Sequence, residues 1–355
     1  MSNDKMKLYK TKYLMMFWNE GGGTLKRITV EEIAKTLGVS KASVSKALNN
    51  TGVISYEVKK KILDLAAQEG YEMKNESTDI GIVIPYYPKL FWQTYLSEIL
   101  KCSEALNLTS QHFLYKEDAY PEDVMLCLEA AEKAEVEVLI VGITCSVGVP
   151  QIMEKIKELN DKMLVIFVEE IYRDDAQVYV GEHSYESARQ LASIYLKKYP
   201  ERDNFLVFSK GGHSIGSRVD GFRDELVLRD KTLIDILEFP PKTPTVSAKI
   251  AGMIDKYKNK YGHVDCVFCA SGSVSDVCVA IRKLKLDIHC IGFECTNADM
   301  AYFDAGILKC VARQNIPLQA QAAVNIAYRY VSEGIRPNVL KGESHKYIED
   351  YFVSN

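Results

Sequence analysis

Two periodicities divide the chain. Between Thr29 and Gly70 apolar residues return every three or four positions: Ile33 and Leu37, then Val44, Ala47 and Leu48, then Val58, Ile62 and Leu65. That spacing gives three short helices an apolar stripe each. Thr29-Val30-Glu31-Glu32 is a capping box, in which Thr29 and Glu32 satisfy each other's exposed backbone N–H, so a helix starts there. Gly38 supplies the positive φ that ends it, Ser40 caps the second helix, and the third runs from Ser55 to Gly70.

From Asp79 onward the pattern changes to unbroken apolar runs separated by helix-like stretches: Ile80 to Ile84, Val136 to Val141, Leu164 to Val168, Phe205 to Phe208, Cys266 to Cys269 and Ile288 to Phe293. An unbroken run marks a strand buried on both faces, and the alternation predicts an α/β domain of parallel sheets wrapped by helices.

Composition adds a boundary. With 355 residues, 47% of them hydrophobic and 26% charged, the chain is ordinary globular material too long for one core. A small domain joined to a large two-lobed one is the natural division. The net charge of −4 is unevenly spread: residues 25–74 carry 9 Lys/Arg against 6 Asp/Glu, residues 75–355 carry 31 against 40. A basic head thus precedes an acidic body. With its apolar face turned inward, the second helix leaves Ala42, Ser45, Lys46 and Asn49 outside, a small, polar and basic stripe. Such a stripe can approach base edges in a major groove, and Lys41 and Lys46 can reach phosphates or guanine acceptors; a plain three-helix bundle with a solvated face is the other reading.

Several chemistries find no support. The nine cysteines, several inside apolar runs, read as small hydrophobes in a reducing cytosol. Cys266 and Cys269 form a lone C-x-x-C without a second pair at zinc-finger spacing, so no metal is expected. Gly211 to Gly216 lacks the Lys-Ser/Thr ending of a phosphate loop, and no Gly-x-Ser-x-Gly elbow occurs; no catalysis and no cofactor are expected. The apolar run Tyr13 to Trp18 is too short for a signal peptide, and no stretch approaches the roughly 18 apolar residues of a membrane span. The codons of Asn19 to Gly23 would be purine-rich like a ribosome-binding site, with Leu25 a nearby alternative start. Residues 1–24 are therefore set apart as an extension, a reading that an intact mass retaining Met1 in natively expressed protein would contradict.

The segment from Ile28 to Tyr71, with Gly38-Val39-Ser40, Ser43-Val44-Ser45-Lys46, Leu48-Asn49-Asn50 and Gly70-Tyr71, resembles the helix-turn-helix headpiece of the lactose-repressor (LacI/GalR) family. Ile80 to Pro85, Phe91-Trp92, Arg218-Val219-Asp220-Gly221-Phe222, Ile291-Gly292-Phe293-Glu294 and Val311-Ala312-Arg313-Gln314 match, in order, the sensor domain of the same family, which resembles periplasmic sugar-binding proteins. The resemblance implies that Thr29, Ser40, Ser43 and Asn49 grip phosphates while Lys41, Ala42 and Lys46 face bases, beside Ser45. Lys46 stands where the family usually has Arg, and Lys lacks the rigid fork that reads guanine. It further implies a cytoplasmic repressor, homodimeric on a pseudo-palindromic double-stranded DNA operator, controlled by a small molecule, a sugar or related polar metabolite, bound between the lobes.

By the same resemblance the headpiece spans 25–71 and the bilobed ligand-sensing domain 79–355, with lobe 1 at 79–180 and 312–334, lobe 2 at 181–311 and 335–355, and crossings near Val180, Ala312 and Gly334. Residues 72–78 read as a short polar linker in place of the family's hinge helix. In the cleft, the aromatic pair Phe91 and Trp92 suits the apolar face of a sugar, Arg218 can hold hydroxyls or a carboxylate, and Glu169 and Glu294 follow their strands. The chain departs from the family at Ala270-Ser271-Gly272, where Ser271 replaces the usual Asp and Asp276 lies one helical turn on. Glu182-His183 stands near where an Asp-Asn is customary. These departures weaken the sugar assignment. The alternative is a cytoplasmic ligand-binding protein with a degenerate headpiece.

Overall fold

The structure, a computed structural model, describes residues 28–48, 56–69, 78–86, 89–116, 121–144, 149–170, 178–337 and 345–354. The chain divides into two compact units, Met1–Lys74 and Asn75–Asn355. The extension 1–24, Asn49 and the linker's residues 72–77 lie outside the described residues.

The first unit contains α1 (Val30–Leu37), α2 (Lys41–Leu48) and α3 (Tyr56–Gln68). Its start is the capping box: the Thr29 N–H donates to Glu32 Oε2 at 2.8 Å and the Glu32 N–H donates to Thr29 Oγ1 at 3.3 Å. Gly38, at φ 65°, ends α1 in the left-handed region and turns the chain into α2. Ile33, Ala34, Val44, Ala47, Leu48, Ile62 and Ala66 form the small buried core.

The second unit is built of two parallel sheets. The chain lays down β1 (Ile80–Pro85), α4 (Lys89–Ala105), β2 (Ser110–Tyr115), α5 (Pro121–Lys133), β3 (Val138–Val141), α6 (Val149–Asn160), β4 (Leu164–Val168) and β5 (Val178–Gly181). It continues through α7 (Ser184–Lys198), β6 (Asn204–Ser209), α8 (His213–Leu228), β7 (Thr232–Glu238), α9 (Val246–Tyr261), β8 (Cys266–Cys269), α10 (Val274–Leu284), β9 (His289–Phe293), α11 (Met300–Asp304) and β10 (Leu308–Arg313). Then follow α12 (Ile316–Glu333), β11 (His345–Tyr347) and β12 (Tyr351–Ser354). Strand order is β11-β5-β4-β3-β1-β2 in one sheet and β12-β10-β9-β8-β6-β7 in the other, with β12 antiparallel to β10.

Side-chain parity explains the unbroken apolar runs. Ile80, Ile82, Ile84, Val138, Ile140, Leu164 and Ile166 face one way, packed with Trp92 and Tyr95 of α4 and Ala320 and Ala323 of α12. Val83, Leu139, Val141, Val165 and Phe167 face the other, against α5 and α6. The second sheet repeats the arrangement, with α9 and α10 on one face and α7 and α8 on the other. Both faces are covered, so neither parity admits polar residues.

The chain passes between lobes after β5, after β10 and after β11. The third passage corrects the boundary placed at Gly334. Gly334, at φ 66°, ends α12, but His345 to Tyr347 still pair in parallel with β5, so the chain leaves this lobe only at residues 348–350. A helix stop and a crossover look alike in sequence, because both call for a residue at positive φ or a polar turn.

One packing contact is stringent. At Gly221 of α8 a Cβ would fall 2.1 Å from the backbone oxygen of Tyr185 in α7. Gly221→Ala is expected to force the helices apart at a cost of about 1–3 kcal/mol, visible as a lower urea midpoint; an unchanged midpoint would mean the two helices slide freely.

Candidate DNA-reading face and interlobe site

In α2 the burial pattern turns Val44, Ala47 and Leu48 inward and leaves Lys41, Ala42, Ser45 and Lys46 exposed, with Ser43 half-buried. Ser40 caps the helix: its Oγ accepts from the Ser43 N–H at 3.0 Å and lies 2.8 Å from Ser43 Oγ. Lys41 pairs with Glu31 of α1, an exposed ion pair that water and salt screen. Thr29 is exposed, its hydroxyl engaged with Glu32.

In the second unit the polar groups gather where strand ends and crossings converge. Glu169 and Glu294 each follow the fourth strand of their sheet, β4 and β9, and both sit in the left-handed region, at φ 71° and 56°. Non-glycine residues there cost about 1–3 kcal/mol each and cluster where function demands them. Gln314, just past β10, joins the pair: its Nε2 donates to Glu169 Oε1 at 3.1 Å and its backbone N–H to Glu294 Oε1 at 2.9 Å. A buried relay backs it, Gln319 Nε2 donating to Gln314 Oε1 at 3.0 Å and the Tyr95 hydroxyl to Gln319 Oε1 at 3.1 Å. Across the lobes, Ser214 at the start of α8 donates its N–H to Glu170 Oε2 at 3.1 Å and its hydroxyl to the Glu169 backbone oxygen at 3.2 Å.

Arg218 of α8 is 4% exposed. Its Nε and Nη2 both reach Glu182 Oε1 at 2.6 Å, its Nη1 donates to the Ala270 backbone oxygen at 3.1 Å, and the guanidinium stacks 4.0 Å from the Phe293 ring centroid. Glu182, in the first crossing, also accepts from Ser184 Oγ at 2.6 Å. The Tyr179 hydroxyl lies 3.3 Å from the backbone oxygens of both Glu169 and Glu182, which fixes those residues side by side. Asp350, in the third crossing, is half-buried with both carboxyl oxygens shielded from solvent.

The electrostatics are one-sided. Burial, with Glu182 and Glu170 adding repulsion and Arg218 opposing, pushes Glu169 up to about 8. Burial, against a Gln314 N–H and Arg218, pushes Glu294 up to about 7. Burial and the Glu182 charge push Asp350 up to about 9, and Glu170 is raised by burial as well. Burial works against the Arg218 charge, but Glu182 and Glu169 outweigh it and hold the guanidinium protonated.

For a carboxyl whose folded pKa is raised, the stability it contributes is complete below its unfolded value near 4.5 and is lost as pH rises through the folded value. The unliganded protein is therefore expected to melt lower at about pH 8.5 than at about pH 6, and Glu169→Gln to flatten the difference. An unaltered pH slope in the variant would show that Glu169 ionises without cost.

Of the residues singled out from sequence, Glu169, Arg218, Ser271 and Glu294 come together here; Asn49 lies outside the described residues. Trp92 is 2% exposed in the core of the first lobe, against which a Cβ at Gly142 would collide. Its indole fills the volume under β1 and β3, and Phe91, half-buried, packs edge-on against it at 5.1 Å between ring centroids. Asp276 sits in the first turn of α10, and its charge is felt by Tyr302 of α11. Glu182, Glu170, Gln314 and Asp350 were not singled out; the Glu182-His183 pair at the end of β5 was the visible trace. Cys266 and Cys269 are buried in the second sheet with their thiols pushed up by burial, Cys269 to about 11. Among the described residues no cluster of His, Cys, Asp and Glu could hold a metal, and no helix is long and apolar enough to cross a membrane.

A helix-turn-helix unit ahead of two sheet lobes with a polar site at their junction defines a ligand-controlled DNA-binding protein. Residues 29–73 match the family described as bacterial regulatory proteins, lacI family, and residues 80–334 match the periplasmic binding protein domain. The chain belongs to the lacI family of regulators, with its sensor in the periplasmic binding protein domain family, and it is a ligand-controlled DNA-binding regulator. Similar solved structures share the fold at low identity. A LacI-family transcriptional regulator from Silicibacter pomeroyi is 15% identical with a TM-score of 0.62, covering 92% of this chain and 98% of its own. The glucose-galactose binding protein GanP of Geobacillus stearothermophilus is 15% identical with a TM-score of 0.67 over 79% of this chain and 98% of its own. A Caulobacter myo-inositol binding protein is 17% identical with a TM-score of 0.65 over 79% and 94%. No curated protein matches the sequence.

Proposed function

We propose that the protein is a cytoplasmic transcription repressor that binds a pseudo-palindromic operator as a homodimer and is released or retained by a small polar metabolite taken between its lobes. The observation that carries the effector half is the set of shielded oxygens without a hydrogen-bond partner at the junction, Glu169 Oε2, Glu182 Oε2 and Ser271 Oγ. A buried polar atom left unpaired is costly, so a ligand that supplies partners is stabilised there and draws the lobes together. Sugar binding by structural relatives such as GanP supports a polar, hydroxylated effector.

The DNA half rests on the exposed stripe Ala42, Ser45 and Lys46 beside the exposed Lys41. One helix reads too few bases for tight binding, so two headpieces on an inverted repeat are required. The imperfect match of Lys46 to a guanine-reading Arg makes base discrimination there modest. Selection of random duplexes by the full-length protein, followed by sequencing, is expected to return an inverted repeat; a single unrepeated half-site would refute the dimeric reading.

A further inference from the structure

Taking the junction between the lobes as the effector site, we propose that its ligand carries a protonated amine, received by the unpartnered oxygens of Glu169, Glu182 and Ser271. The case rests on what the site offers and what it lacks. Five carboxyl groups converge, those of Glu169, Glu170, Glu182, Glu294 and Asp350, against the guanidiniums of Arg218 and Arg313. Three of the five N–H donors of Arg218 are committed to Glu182 and Ala270, and its face lies on Phe293. An anionic ligand would compete with Glu182 for Arg218 and would oppose ionisation of the surrounding carboxyls.

Apart from Arg313 Nε, the shielded unpaired atoms at the junction are oxygens. Glu182 is 2% exposed and Ser271 5% exposed, and each has a shielded oxygen with no hydrogen-bond partner, as does Glu169 Oε2. Ser271 adds a neutral hydroxyl, shielded beside the carbonyl that Arg218 holds and next to the Cys269 thiol. An ammonium is three donors and no acceptor, which matches this inventory; a hydroxyl brings lone pairs that would face carboxylate oxygens. An ammonium also supplies the positive charge that allows several buried carboxylates to ionise together. Glu182, on the first crossing, also interacts with Asp350 on the third, so a charge received beside Glu182 is felt by two of the three interlobe segments. In the unliganded protein bound protons serve the same purpose, so amine binding displaces protons.

The test uses the full-length protein and matched pairs: glucosamine against glucose, galactosamine against galactose, putrescine against 1,4-butanediol. Calorimetry near pH 7.5 is expected to show at least one amine binding about tenfold or more tightly than its neutral twin, as charged hydrogen bonds exceed neutral ones. Repeating it in buffers of different ionisation enthalpy is expected to reveal proton release. Glu169→Gln, which keeps shape and removes charge, and the milder Ser271→Ala are each expected to erase most of the preference while the unliganded protein still melts in one step. If neutral members bind as tightly as their amine twins, the amine inference falls and the cleft reading stands. If amines bind but both variants retain the preference, the amine sits elsewhere and the inference falls alone. If no member of any pair binds, the inference and the cleft reading fall together.

Discussion

Lys46→Ala is expected to weaken operator binding by about 1–3 kcal/mol, roughly 5- to 150-fold, while leaving the melting temperature and effector binding unchanged. Lys46 is exposed on α2, opposite the buried Val44, Ala47 and Leu48, so its removal leaves the headpiece core untouched. The loss should depend on which base pair is presented, since a base contact specifies while a phosphate contact merely positions. Lys46→Arg is the informative companion: a bidentate fork at the same place should sharpen preference for guanine. Anisotropy titrations on the selected operator and on single-base variants would decide it. Equal losses on every sequence would make Lys46 a phosphate contact, and no loss would move the reading face elsewhere.

The second large effect concerns Arg218. Replacing it with Ala removes the partner of a carboxylate that is 2% exposed and leaves Glu182 charged in a nearly dry site, which for buried pairs costs about 3–5 kcal/mol. Neutralising Glu182 at the same time should recover much of that loss, so Arg218→Ala combined with Glu182→Gln is expected to be more stable than Arg218→Ala alone. Urea midpoints of the four proteins measure the effect. A double variant no better than the single would mean that Arg218 matters through its stack on Phe293 and not through charge.

The contrast between Arg218 and Trp92 shows what sequence reveals and what it conceals. The strands were legible because covered faces demand apolar residues at both parities, as in Ile80 to Ile84. The start of α1 was legible because Thr29 and Glu32 are three residues apart and interact locally. Arg218 was recognisable by its neighbours in a motif, yet its partner Glu182 lies 36 positions away and is set by the first crossing. An aromatic pair at a helix start, such as Phe91 and Trp92, serves equally for packing and for a ligand, and the burial of Trp92 against Gly142 is set by the depth of α4, which adjacent residues do not reveal. The third crossing was hidden because β11 is a three-residue strand with no apolar run to announce it. Local rules are written in adjacent residues, whereas the interlobe site is assembled from β4, β5, β9, β10 and α8 by topology.

The account stands or falls on sequence-specific DNA binding by the intact chain. The direct measurement is fluorescence anisotropy of full-length protein with the DNA upstream of its own gene, in excess nonspecific competitor and across a salt series. Retention that survives competitor and weakens linearly in log affinity with log salt is the predicted result. Binding that competitor abolishes at every salt concentration, with ligand binding to the sensor intact, would contradict it and leave a ligand-binding protein whose headpiece no longer reads DNA.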